Sequence, residues 1–221
     1  MLQTLIVAVS LLAPPAGPPA HEHGQYGNPK DLDGYAARME APDRAAWQKP
    51  DEVVKALAVS AGQTVCDVGA GPGYFSLRFA RAVGDGGRVF AVDVEPHMLD
   101  VLRQRIAAAQ AWNVTPVLAL PSDSLLPAAA CDVILIVDTY HHLPDGPRYL
   151  RALATRLKKG GRIVNIDFQK RDLPVGPPVE HKIAREEFLK QAAAAGLSLR
   201  QEYGFLPYQY FVVLQPKGDG P

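Results

Sequence analysis

The sequence predicts an α/β fold built on a doubly wound parallel sheet, and three observations predict it. Strand-like apolar runs alternate with helical segments along most of the chain. The run "CDVILIV" (131–137) is almost continuously apolar, as a strand covered on both faces should be. The first strand-like run, "TVCDVG", opens into a turn holding Gly69, Gly71 and Gly73, where backbone can approach a ligand closely.

The chain has 221 residues, which suits one α/β domain with an extra segment and leaves room for a substantial core. Lys+Arg and Asp+Glu are both 23, and no basic run occurs. A nucleic-acid binder usually shows a basic excess or patch, so nucleic acid is not an expected partner.

Residues 1–20 differ from the rest. "LIVAVSLLA" (Leu5–Ala13) followed by "PPAGPPA" is far short of the ~20 residues a stable membrane span needs, and it suits the core of a signal peptide. It has no Lys or Arg before it, and prolines fall where a cleavage site wants small residues. Export to a periplasmic or secreted location is one expectation. A cytoplasmic chain with a frayed extension or a misplaced start is the other. Residues 21–43 are polar and turn-rich and read as an arm, 44–215 as the main domain, and 216–221 as a tail. If cleavage followed Ala20, His23 would stand third, a nitrogen-rich arrangement suited to Cu(II) or Ni(II), although an exposed polar arm is the plainer reading.

From Asp43 a helix is expected, with Trp47, Val53, Val54 and Leu57 available for packing and Pro50 breaking it in two. "TVCDVG" leads to a helix from about Tyr74 to Val83, and "GRVFAVDV" to one from about Pro96 to Ala111 with Leu99, Leu102 and Ile106 on one face. "TPVLAL" and "CDVILIV" are strands. "PDGPRYLRALATRLKKGG" reads as a helix with Asp145 near its N-cap and Gly160 just past its end. "RIVNIDF" is a central strand. A helix at about 183–195 precedes "LSLRQEY" and "YQYFVVL", a closing antiparallel pair. Cys66 and Cys131 each lie in an apolar strand and read as small buried hydrophobes rather than a disulfide.

The ligand of the glycine turn follows from its surroundings. A dinucleotide fingerprint spaces its glycines G-x-G-x-x-G, but here the spacing is G-x-G-x-G and Tyr74 holds the next position. Asp67, just before the turn, would repel a pyrophosphate. It would attract S-adenosylmethionine, which carries an ammonium and a sulfonium and no phosphate. Asp93, 20 residues after Gly73, ends the second strand, where a carboxylate can take both ribose hydroxyls. A tight turn with no ligand is the alternative.

From about Trp47 to Leu214 the sequence resembles the class I S-adenosylmethionine-dependent methyltransferases, in particular the small-molecule group that includes ubiquinone/menaquinone-type and arsenite-type enzymes. "VCDVGAGPGYF" matches the first motif and "VFAVDVEPHML" the second-strand motif. "SDSLLPAAACDVILIVDTYHHL" is similar to the adenine-contact segment running into the fourth strand. "LKKGGRIV" resembles the turn into the fifth strand, with Lys159 in place of a usual proline.

The resemblance implies a Rossmann-like seven-stranded sheet in the order 3-2-1-4-5-7-6, its seventh strand antiparallel. It also implies methyl transfer from S-adenosylmethionine to a small-molecule O, N, S or C nucleophile. Asp67, Val68, Ala70 and the Gly69–Gly73 backbone would hold the methionine end, and Asp93 with Val94 the ribose. Ser122 or Asp123 would meet the adenine, and Asp138 would complete the donor site. The cysteine pattern of arsenite methylation is absent, and no metal is expected in the site.

The sulfonium is already an activated leaving group, so a base is needed only if the acceptor arrives protonated. His141 and His142 fall at the carboxyl end of the sheet and are the candidate bases, with bracing of the loop as the alternative. Asp138-Thr139-Tyr140 lacks the prolines of nucleobase amino-methylating enzymes. Tyr35, Trp47, Tyr140, Tyr208 and Tyr210 are candidates for a lid or pocket wall. The rival function is an exported, non-catalytic binding protein on the same fold. The sequence leaves the oligomeric state open.

Overall fold

In the computed structural model, which describes residues 29–218, the run Thr64–Val68 (β1) is buried from its second residue onward because helices cover both its faces. Cys131–Val137 (β4) lies beside it in parallel register, with Val65 opposite Val133 and Val68 opposite Ile136. Arg88–Asp93 (β2) flanks β1 on the other side, and Val114–Leu118 (β3) forms that edge. Leu157–Phe168 (β5) continues the sheet beyond β4. Gln209–Pro216 (β7) then pairs antiparallel with both β5 and Leu197–Tyr203 (β6). The order is β3-β2-β1-β4-β5-β7-β6, as the resemblance implied. The apolar leader-like segment and His21-Glu22-His23 lie outside the described residues.

Seven α-helices of the described residues surround the sheet. Leu32–Met39 (α1), Arg44–Gln48 (α2) and Pro50–Ala56 (α3) precede it. Pro50 opens α3 after Lys49 at φ 45°, so the break expected at this proline is present. Ser76–Val83 (α4) and Pro96–Ala109 (α5) pack Phe79, Leu99 and Leu102 on one face. Gly146–Ala154 (α6), capped by the Asp145 carboxylate on Arg148 N–H, and Arg185–Ala194 (α7) pack Leu150 and Phe188 on the other.

Three expectations are corrected. The polar arm contains α1, whose N-cap Asp31 accepts from Gly34 N–H and whose Tyr35 and Met39 are half-buried. The helix expected to run to Gly160 stops at Ala154. Leu157 instead pairs with Cys131, and the chain crosses an irregularity at Gly160 (φ 77°) to enter the regular part of β5. Finally, Cys66 and Cys131 are fully buried but bonded to each other, 65 residues apart in sequence and 6.0 Å apart at Cα. Burial is common to free and bridged cysteines. The bridge exists because β1 and β4 are neighbours and both sulfurs face the same core.

Candidate donor and acceptor site

The glycine turn leaves the carboxyl end of β1 and is fastened to β2. Gly69 and Ala70 N–H donate to Val92 O at 2.8 and 3.0 Å. Gly71 N–H donates to one oxygen of Asp93 at 2.7 Å, and Glu95 N–H to the other at 2.9 Å. Asp93 therefore shapes the turn, and each of its oxygens keeps a lone pair for a ligand hydroxyl. Burial pushes its carboxyl above the usual range, against the backbone donors that lower it. Gly69 sits at φ 75°, and a Cβ there would overlap Thr139 of the loop after β4. That close approach makes the turn and the loop after β4 one surface.

Asp67 is only 3% exposed and accepts from the Ser76 hydroxyl at 2.6 Å, tying β1 to the start of α4. Burial pushes its carboxyl up to about 6, with the Ser76 hydrogen bond opposing. Its charge reaches the turn as a field rather than as an open contact surface. Val68 and Ala70 are buried beside it, and Val94 is half-buried at the entry to α5. Ser122 is exposed. Asp123 caps Leu125 N–H at 3.0 Å and pairs with Arg156 at 3.5 Å. Tyr149, which sequence reasoning missed, feels the charges of both Asp123 and Asp93, and burial first of all pushes its hydroxyl up to about 12.

The arm closes over this cradle. The Met39 sulfur is 3.1 Å from where a Cβ of Gly71 would stand. Burial, then the charge of Asp138, holds the Tyr35 hydroxyl protonated well into the alkaline range. Arg44 donates to Met39 O at 2.8 Å and to Gln48 Oε1 at 3.1 Å while stacking over the Tyr74 ring at 4.1 Å. Gln48 then donates to Gln209 Oε1 at 2.9 Å, and Gln209 to Asp138 Oδ1 at 2.6 Å. Two fully buried amides thus carry α2 onto β7 and onto the end of β4. Asp138 takes a left-handed backbone (φ 51°) that its short polar side chain tolerates. Burial and the neighbouring Asp167 push its carboxyl upward, and Arg44, 3.8 Å away, opposes them.

Of the aromatic candidates, Trp47 and Tyr208 form a wall with Phe168, at ring separations of 5.6 Å (Trp47–Phe168) and 6.4 Å (Trp47–Tyr208). Tyr140 does not line this wall. It is 1% exposed, packs edge-on against Phe188 at 4.7 Å and donates to Gln191 Oε1 at 2.7 Å, so it belongs to the core under α7. Tyr210 is likewise core, against Phe188. His141 and His142 stand ring to ring at 4.2 Å, but their settings differ. His142 is exposed, whereas His141 has a side chain 3% exposed and places Nδ1 3.0 and 3.1 Å from the two oxygens of fully buried Asp167. Asp167, Arg44, Gln48 and Gln209 carried no signal in the sequence beyond being polar residues within or beside apolar segments. No cluster of three metal-ligating side chains is present among the described residues.

Residues 65–161 match a family described as a methyltransferase domain. The chain is 31% identical over 134 residues to a demethylmenaquinone methyltransferase of Shouchella clausii, covering 59% of this chain and 54% of that one. It is 34% identical over 110 residues to a ubiquinone/menaquinone biosynthesis C-methyltransferase of Vibrio campbellii, covering 49% and 42%. The chain thus spans about half the length of the curated relatives it matches. The structure of a SAM-dependent methyltransferase from Aquifex aeolicus superposes with a TM-score of 0.78 at 25% identity, covering 82% of this chain and 96% of that one.

Proposed function

We propose that the glycine turn binds S-adenosylmethionine and that the methyl group passes to a small-molecule nucleophile, a reading supported by the likeness of the chain to class I methyltransferases in fold and sequence. The observation that carries this reading is Asp93, whose two oxygens accept Gly71 and Glu95 N–H and so stand at the edge of the turn with acceptor capacity to spare. The residues around the cradle suit a cationic donor. Asp67, Asp93 and Asp138 supply carboxylates, and the turn itself has no Lys or Arg to neutralise a pyrophosphate.

When bound, the donor supplies an electrophilic methyl on a positively charged sulfur, and that charge is lost on transfer. The work left to the chain is alignment and exclusion of water. The Gly69–Gly73 backbone and the field of Asp67 would orient the methionine end, and Asp93 the ribose hydroxyls. Ser122 or Asp123 would receive the adenine. The α1–α2 cover, fastened through Arg44, Gln48 and Gln209, would keep solvent from the reacting atoms. Trp47, Phe168 and Tyr208 offer the acceptor an apolar wall beside that cover. Calorimetry with S-adenosylhomocysteine and with NAD tests the reading. Binding of the first alone is the expected result, and binding of NAD alone would overturn it.

Export is the location we favour, supported by the Cys66–Cys131 bridge, since disulfides persist mainly in oxidising compartments. The apolar segment at Leu5–Ala13 is consistent with it. Cell fractionation of the full chain should place it outside the cytosol, and a wholly cytosolic, reduced protein would refute this. No helix among the described residues is long and apolar enough to cross a membrane. A non-catalytic role is disfavoured because Asp67, the three glycines and Asp93 are all present and organised as one turn.

A further inference from the structure

We propose that His141 is the general base that deprotonates the methyl acceptor, and that Asp167 is the positioning residue that fixes which nitrogen does so. The inference rests on the methyl-transfer reading and specifies its acceptor: a nucleophile that arrives carrying a dissociable proton.

The geometry begins at Asp167, the penultimate residue of β5, whose carboxylate is fully buried. One oxygen accepts Phe168 N–H at 2.8 Å, which fixes the plane of the carboxylate. Both oxygens lie within hydrogen-bond distance of His141 Nδ1. A carboxylate can only accept, so the neutral imidazole must carry its proton on Nδ1. Nε2 is then the nitrogen with the lone pair. Two residues earlier in the same loop, Thr139 touches the glycine turn where a Cβ of Gly69 would stand. The dyad is therefore held within one loop of the donor cradle, with Arg44 of α2 reaching the neighbouring Asp138 and with Phe168, the residue after Asp167, packed on Trp47.

The groups facing His141 come from several elements. Asp167 approaches from β5 and Asp138 from the end of β4, and both favour the protonated ring. Arg44 of α2 partly neutralises Asp138, and Tyr210 of β7 lies near Asp167. His142 stacks alongside. Burial alone would lower the histidine, but the Asp167 hydrogen bond and charge outweigh it, and the net displacement is upward.

In the step, the X–H bond of the acceptor breaks and its proton passes to Nε2. The electron pair freed on X forms the bond to the methyl carbon. The carbon–sulfur bond breaks with its pair remaining on sulfur, giving the neutral thioether S-adenosylhomocysteine. The imidazolium stands against Asp167 until it returns its proton to solvent. No oxidant or reductant takes part.

The test uses the whole chain, with Asp167→Asn, Asp167→Glu and His141→Gln. Nitrogen-resolved NMR of the S-adenosylhomocysteine complex should show the Nδ1–H tautomer and a His141 pKa above the ordinary value of about 6.5. In Asp167→Asn that pKa should fall. Turnover of S-adenosylmethionine with a panel of simple phenols, thiols and amines should lose about 10²–10⁴-fold in kcat in Asp167→Asn and His141→Gln. Affinity for S-adenosylhomocysteine should change little, Asp167→Glu should recover part of the rate, and the acid limb of the pH–rate profile should follow the histidine. If Asp167→Asn fails to fold, His141→Gln and the wild-type tautomer decide the matter. An Nε2–H tautomer, a pH profile unchanged by His141→Gln, or no transfer to any protic acceptor despite intact donor binding would each overturn the proposal. Loss of donor binding in the wild-type chain would instead overturn the methyl-transfer reading beneath it.

Discussion

Asp93 shapes the turn and, in the proposed donor site, would also hold the ribose hydroxyls. Its oxygens accept Gly71 and Glu95 N–H, so removing the carboxylate loosens the turn even without a ligand. With donor bound, Asp93→Ala should also lose contacts to the ribose worth about 1.5–3 kcal/mol, a roughly ten- to hundredfold drop in affinity for S-adenosylhomocysteine by calorimetry. Unchanged affinity in a folded variant would remove Asp93 from the ribose site. Asp67 gives a pH signature. Its carboxyl is raised from 3.8 to about 6, so the folded chain holds this proton more tightly than the unfolded one. The folding contribution therefore declines as pH rises through that window and is flat above it. Donor binding has the opposite dependence. An ammonium favours the ionised form, so affinity should fall as pH drops through about 6, and Asp67→Asn should flatten the curve. Calorimetry across that window measures both variants. The glycines, Asp67 and Asp93 were legible because they are local, set by one strand–turn–helix–strand unit from β1 to β2. Gln48 and Gln209 were not, since their bond joins residues 161 apart and two amides carry no periodic signal.

At the scale of elements, the arm departs most from its sequence reading. Its composition is polar and only Ala36 of α1 is buried, so neither periodicity nor hydropathy marks α1 as part of the site. What holds it is side-chain chemistry at its ends. Asp33 meets His97 of α5 at 2.8 Å, Glu40 pairs with Arg105 of α5, and Arg44 bonds both Met39 and Gln48. Elements held by polar contacts at their margins open at lower free energy than a sheet buried on both faces. Amides of α1 and α2 should thus exchange hydrogen far faster than those of β1 and β4, and S-adenosylhomocysteine should slow them selectively. Arg44→Ala removes the hub and leaves Asp138 without its cation. Losing charge-assisted bonds of about 1.5–3 kcal/mol should speed exchange in α1–α2, and dissociation of S-adenosylhomocysteine, by roughly ten- to a hundredfold. Equal acceleration throughout the sheet would mean that the arm is not an independent cover. The shortened α6 fits the same account. The helical pattern of 155–160 was real, but pairing of Leu157 with Cys131 competed with it and won.

For the whole molecule, the sheet order determines what the two cysteines are. The order that the family resemblance implied already placed β1 against β4, although the two cysteines were read there as buried hydrophobes. Composition alone could not supply the pairing, because a buried thiol and a buried half-cystine look alike in an apolar run. The bridge closes a 65-residue separation that contains the glycine turn, α4, β2, α5 and β3. In the chain-entropy account a loop of that length restricts the unfolded chain by ~4 kcal/mol. For a domain of this size that corresponds to a loss of roughly 10 °C in Tm when the bridge is cut. Cys66→Ala with Cys131→Ala is the informative pair, because serines would bury two hydroxyls in an apolar core. Both sulfurs are inaccessible in the folded chain, so a thiol reductant should act only as the sheet opens and reduce the native protein slowly. Thermal unfolding should show the wild type losing stability after full reduction, while the double variant starts lower and ignores reductant. Affinity for S-adenosylhomocysteine well below the melting range should be nearly the same in both, since the bridge faces the α6–α7 core and not the cradle. A wild-type Tm indifferent to complete reduction would mean that packing between β1 and β4 alone sets the stability of the sheet.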